Sequence, residues 1–276
     1  MDKQKNSRVL MFFRDDDVGN RLDASLLQIA DMFVSLGVPI SYSVEPANVT
    51  KEVVDWLVSL KNSYPLLVDI MQHGYDHKVK IKSKGRIGEF GGRRTYNEQL
   101  NDIRAGKELM EKYFKNLWIP AFNYPFGPYN YQSMQALSYC GFKIVNSHFN
   151  SHWTRRLLYR VGHLLKKGRL FGYHISWNLH IYPRTSLFEI DINLSFIKKY
   201  FGDRVEDGCE FQTLDEMKKD TMRYINFNTI GVVLHHGYHS NLSGMDVVKQ
   251  YLQWCSQHPN IEYARMIDIY ERFNGR

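Results

Sequence analysis

The residues of this chain best suited to chemistry are a run of three aspartates and a set of clustered histidines, among eleven histidines in 276 residues. Asp15, Asp16 and Asp17 directly follow the apolar run VLMFF and Arg14. Three adjacent carboxylates repel one another, so holding them at a strand end costs free energy unless a cation neutralises some of the charge. His73 and His77 stand in HGYDH, directly after LLVDIMQ. Two histidines four apart share a face where the chain turns helically, and both then reach one metal ion. Spacing alone does not single them out, because His148/His152 and His235/His239 share it. Their place does: in a parallel α/β sheet ligands bind beyond the carboxyl ends of the strands. Two histidines and one carboxylate, with open positions, form a common catalytic metal set.

Two further clusters follow apolar runs. HHGYH (235–239) comes after GVVL, and either His235 or His236 could serve as an acid near neutral pH. His239 reads as packing. AFNYPFGPYN (121–130) comes after LWIP. Its Pro and Gly fix a tight turn that can aim a backbone N–H at a ligand oxygen.

The elements that must position these groups alternate in type. Candidate strands are 9–13, 40–44, 66–71, 117–122, 142–145, 172–177 and 231–234; candidate helices are 23–36, 51–60, 97–114, 131–139, 191–200, 213–224, 245–256 and 266–273. Capping residues stand near several helix starts, and Gly37 and Gly141 each follow a helix. This rhythm means βαβ units and a mainly parallel sheet, and about seven such units form an α/β barrel that is closed or nearly so. The length suits one barrel domain spanning 1–276. The basic stretch 78–95 reads as a functional loop and 150–170 as a second irregular insertion.

Composition excludes several classes. No run approaches the roughly 18 apolar residues of a spanning helix. The N-terminus lacks the h-region of a signal peptide, so the expectation is a cytoplasmic protein. Cys140, Cys209 and Cys255 form neither a disulfide framework nor a zinc pattern and read as small packed residues. Net charge is +7, concentrated in 78–86, 155–169 and 198–204. That allows peripheral contact with an anionic surface; no nucleic-acid partner is expected, and the sequence does not speak to oligomeric state.

The four clusters, in this order across about 8–240, resemble the polysaccharide deacetylase superfamily, in a divergent branch. The resemblance implies a distorted (β/α)7-type barrel of mainly parallel strands. It implies that Asp16 is the general base and that Asp17, His73 and His77 bind a divalent metal, zinc first; HGYDH is close to the family's HGYTH and HGYSH. The family's Arg-x-Pro-x-Gly stands here as Asn123-Tyr124-Pro125-Phe126-Gly127. Asn123 thus replaces the arginine that orients the base, and the backbone N–H of Phe126, after Pro125, would bind the oxyanion. VVLHH supplies the general acid, His235 first and His236 as the alternate. The family's Asp/Trp motif has no clear counterpart, Trp177 being the nearest. The implied activity is removal of acetyl groups from N-acetylated sugars or polysaccharide. The alternatives are another metal-dependent amide or phosphoester hydrolase, or a catalytically weak carbohydrate-binding protein of the same fold.

Overall fold

The structure is a computed structural model that describes residues 8–83, 86–149, 153–165, 178–202, 205–240 and 242–274. In chain order the elements are β1 (Val9–Val18), α1 (Ala24–Ser35), β2 (Ile40–Val44), α2 (Lys51–Ser63), β3 (Val68–His73), β4 (Ile81–Ser83), β5 (Arg86–Gly88), α3 (Tyr96–Phe114), β6 (Ala121–Asn123), α4 (Tyr131–Tyr139), β7 (Ile144–His148), α5 (Trp153–Leu164), β8 (His180–Ile181), β9 (Phe188–Ile192), β10 (Leu194–Ser195), β11 (Ile197–Tyr200), β12 (Cys209–Phe211), α6 (Leu214–Tyr224), β13 (Thr229–His235), α7 (Leu242–Gln257), β14 (Ile261–Tyr263) and α8 (Met266–Phe273). Local chemistry explains several boundaries. Thr95 and Thr213 close capping boxes with Glu98 and Glu216 at the starts of α3 and α6. Gly37 and Gly141 take positive φ after α1 and α4, as the helix-end position demands.

The principal sheet is mainly parallel, in the order β13-β1-β2-β3-β6-β7-β9, with β10 back on β13. Only Asn193 separates β9 from β10, so one segment pairs with β7 on one side and β13 on the other. Asn193 and Gly231 fasten that junction: the Asn193 N–H donates to the Gly231 carbonyl at 2.8 Å, and the Gly231 N–H donates to Asn193 Oδ1 at 2.9 Å. Pairing therefore runs round a ring of seven, the distorted (β/α)7 pattern that the sequence implied.

Side-chain alternation sorts the core. Val9, Met11 and Phe13 of β1 pack outward with the helices, whereas Leu10 and Phe12 point into the ring. Met71, Ala121, Ile144, Ile190 and Val233 join Leu10 and Phe12 there, and Met266 and Ile269 of α8 belong to the same cluster. Gly231 lets the ring close around Phe12: a Cβ there would lie 2.5 Å from the Phe12 ring.

Some elements differ from the sequence reading. The stretch 191–200, read as a helix, is strand: Ile190, Ile192, Leu194 and Phe196 are buried with a period of two. The 78–95 loop contains the β4–β5 hairpin. The candidate strand 172–177, with Trp177, lies outside the described residues.

Candidate functional site

Each inward-facing series ends in a polar residue at the same end of the ring. Leu10 and Phe12 are followed by Arg14 and Asp16, Met71 by His73, Ala121 by Asn123, Ile144 by Asn146, and Val233 by His235. Register aligns Asp16 with His235 and His73 with Asn123. The apolar interior thus carries a polar cap at the carboxyl ends of the strands.

The three consecutive aspartates have three different surroundings. Asp15 continues the outward series; it accepts the His236 backbone N–H at 2.9 Å and lies 3.1 Å from His236 Nδ1. Asp16 faces inward, gripped by Arg14 through Nε at 2.6 Å and Nη2 at 2.7 Å. Asn123 Nδ2 adds a bond to Asp16 Oδ1 at 3.2 Å. Asp17 would face outward in a regular strand. Instead the β1–β2 register slips between Asp15 and Val18 and Asp17 adopts φ 64°, which redirects its carboxylate to the histidines.

Asp17 Oδ1 lies 3.1 Å from His73 Nε2 and 3.2 Å from His77 Nε2. Ligand atoms held about 2.1 Å from a common zinc-like ion at angles of 90–109° lie roughly 3.0–3.4 Å apart, so the spacing fits a cation. Among the described residues, these three form the group of His, Cys, Asp or Glu ligands near enough to share one ion. Burial raises the Asp17 carboxyl, but hydrogen bonds from His73 and His77 outweigh it and hold the group well below the ordinary range. Burial lowers His77, yet its bond to Asp17 and the charges of Asp17, Glu45 and Glu89 bring it up to about 9. A cation seated there would take over the role of those protons.

Glu89 supports the HGYDH loop from beneath. Its Oε1 accepts the N–H groups of Tyr75 and Asp76 at 3.0 and 3.1 Å. Gly74, at φ 55°, lies so close that a Cβ would sit 2.3 Å from Glu89 Oε2 and 2.4 Å from Pro125 Cγ.

After the adjacent strand β6, Tyr124-Pro125-Phe126-Gly127 forms a tight turn closed by Gly127 N–H to the Tyr124 carbonyl at 3.0 Å. Proline second and a left-handed third residue, Phe126 at φ 61°, is the type II arrangement, with phenylalanine where glycine is usual. Only Gly127 donates within the turn, which leaves the Phe126 N–H for another acceptor. The Phe126 ring lies 4.5 Å from that of His77. Among the described residues, six non-glycines have positive φ, and Asp17, His77 and Phe126 are three of them. Such strain gathers where function over-determines the backbone.

The histidines of HHGYH separate cleanly. His235 Nε2 lies 3.8 Å from Asp16 Oδ2, and its Nδ1 lies 3.3 Å from the Tyr200 hydroxyl. Burial pushes that hydroxyl well up, so it stays neutral. If Tyr200 donates to Nδ1, the imidazole proton sits on Nε2, toward Asp16. His236 is buried against Asp15; burial lowers it, but the Asp15 charge and hydrogen bond bring it up to about 9. His239 packs between Phe196 and Phe211, and burial pushes it down to about 4. His148 is exposed at the end of β7, and its partner at that spacing, His152, lies outside the described residues.

Sequence reasoning missed Arg14, Asn146, Tyr200 and Glu89. Arg14 was open to inference, since it precedes Asp16 by two on a strand and so shares its face. Its guanidinium grips Asp16, and Asn146 Oδ1 accepts from it on the other side. Burial raises Asp16, and the charges of Arg14, His73 and His235 bring it below its ordinary value.

Comparison of the fold with solved structures gives high-probability matches. A protein from Mycobacterium smegmatis assigned as a polysaccharide deacetylase superposes with a TM-score of 0.65 at 12% identity, over 91% of this chain and 77% of that one. This chain has the polysaccharide deacetylase fold. A family 4 acetyl xylan esterase from Clostridium thermocellum, solved with a cobalt ion, gives 0.58 at 8% identity, over 95% and 91% of the two chains. An allantoinase with the same fold gives 0.63 at 11% identity, over 99% and 92%. No family model and no curated protein matches the sequence. On the polysaccharide deacetylase fold, the cap formed by Arg14, Asp16, Asp17, His73, His77 and His235 lies at the carboxyl ends of the strands, where barrel enzymes place their chemistry.

Proposed function

We propose that the protein is a metal-dependent hydrolase that removes acetyl groups from N-acetylated sugars. The observation that carries this is the convergence, at one strand-end cap, of a cation-spaced Asp17–His73–His77 set with Asp16 and His235 beside it. The cobalt in the esterase structure supports a divalent ion. Bound by these three residues, such an ion would polarise the acetyl carbonyl and acidify a water. Asp16, kept ionised by Arg14, takes a proton from the attacking water as the new C–O bond forms. The Phe126 N–H donates to the developing oxyanion. His235, entering the step as the imidazolium, gives its Nε2 proton to the nitrogen as the C–N bond breaks and is left a neutral imidazole, the products being an amine and acetate.

The test pairs metal analysis with acetate release. After zinc or cobalt addition, wild-type protein should hold about one ion per chain and His73→Ala and Asp17→Asn far less. Acetate release from N-acetylated sugars should collapse in Asp16→Asn. A wild type that takes up no divalent ion, or an Asp16→Asn variant of unchanged activity, defeats the reading. The allantoinase neighbour motivates one rival: amine release from a non-sugar amide through the same residues, without acetate from sugars, would move the substrate class while keeping the site.

A further inference from the structure

We propose that α5 docks the protein on an anionic membrane surface. Trp153, Leu157, Leu158, Val161, Leu164 and Leu165 recur at the three- and four-residue steps that place side chains on one helix face. All six are exposed, Trp153 by 70% and Leu164 by 67% of their surface. None belongs to any of the three core clusters, whereas α1, α2 and α7 bury their apolar stripes in one. A contiguous exposed apolar face of this kind marks an interaction site.

Charge selects the occupant. Between Glu111 and Glu189 the chain has no acidic residue and ten Lys or Arg, six of them in 155–169. Elsewhere acidic residues outnumber basic ones by three, so this stretch supplies the whole of the net positive charge. An apolar helix face with tryptophan and leucine, within a basic and acid-free segment, matches helices that lie in the headgroup region of anionic bilayers. A second copy of the chain fits less well: two-fold packing of α5 on α5 would oppose like charges. No described helix is long and apolar enough to cross a membrane, so the contact is peripheral.

The test uses the full chain and vesicles, and its readout does not depend on catalysis. Wild-type protein should co-sediment with phosphatidylcholine vesicles containing phosphatidylglycerol. Binding should be about tenfold weaker to pure phosphatidylcholine, or at about 1 M salt, where the screening length falls to about 3 Å. Leu157→Glu/Leu164→Glu alters exposed positions, so it should keep the wild-type melting temperature and lose vesicle binding. Uptake that ignores phosphatidylglycerol, no uptake at all, or undiminished uptake by the folded double variant overturns the proposal. So does a dimer seen by light scattering that the double variant dissociates while neither protein binds vesicles.

Discussion

Replacing Arg14 by Met tests how the cap holds its central carboxylate. Arg14 and Asp16 are both almost fully buried and joined by two charged hydrogen bonds of 2.6 and 2.7 Å. Removing one partner of a buried pair costs about 3–5 kcal/mol, because it strands the other charge away from water. Asn123 still donates to Asp16 and His235 lies nearby, so the low end, about 3 kcal/mol, applies. For a chain of this size that lowers the melting temperature by roughly 6 °C. The pH dependence follows from the sign of the shift. In the wild type the folded Asp16 titrates below its unfolded value, so its contribution to stability is present above about pH 4 and is lost as pH falls through the folded value. Without Arg14 the largest influence, burial, raises the carboxyl. Acidification then relieves the variant before it harms the wild type, and the gap in melting temperature narrows from pH 7 toward pH 4. The melts should be run on chelator-treated protein so that no ion masks the pair. Loss of the grip also loosens Asp16, the proposed base, and displacements near 1 Å cost about 100-fold in rate, so kcat should fall while Arg14→Lys retains part of it. A drop below about 2 °C at pH 7, or a gap that widens on acidification, would refute the reasoning.

The two adjacent histidines should part company. His235→Gln should cut acetate release by about 10²–10⁴-fold with little change in melting temperature, as expected for an acid on an open wall. His236→Gln should instead destabilise the fold by on the order of 3 kcal/mol; because the folded His236 titrates near 9, this loss is fully seen below about pH 6.5 and fades as pH rises through 9. Gly74→Ala should cost more than about 1 kcal/mol and weaken zinc uptake by calorimetry, since a side chain at φ 55° would strike Glu89 and Pro125.

The fold was legible where short apolar runs alternate with helical stretches. The apolar strands of β1, β2, β3 and β13 announce themselves, and capping residues mark α2, α3, α4 and α6. The helix expected over 191–200 ran against the period-two alternation of Ile190, Ile192, Leu194 and Phe196 with Asp191, Asn193 and Ser195, and pairing with β7 and β13 makes the segment strand. Within the site, Asp17, His73 and His77 stood out by type and place. Tyr200 and Glu89 did not, because each reaches its partner from an element remote in sequence: Tyr200 lies 35 residues from His235, and Glu89 caps backbone amides 13 and 14 residues away.

On the proposed function, Arg14 meets a chemical requirement that the resemblance would assign to position 123. A base at the mouth needs a cation beside it, or burial would protonate it. The arginine expected on the Asn123-Tyr124-Pro125-Phe126-Gly127 turn is absent, and a neutral amide at Asn123 cannot supply the charge. Strand periodicity offers another route: position 14 faces inward two residues before Asp16, deep enough to be desolvated and near enough for a two-pronged grip. With Arg14 there, an arginine at 123 would place a second buried cation against the first, and asparagine serves better by donating to Asp16 without adding charge. The same logic separates the three aspartates. Asp15 answers to His236, Asp16 to Arg14, and Asp17, turned by its left-handed backbone, to His73 and His77. The repulsion within the triplet is relieved by giving each acid its own positive partner, and one of those partnerships is spaced to admit a metal ion.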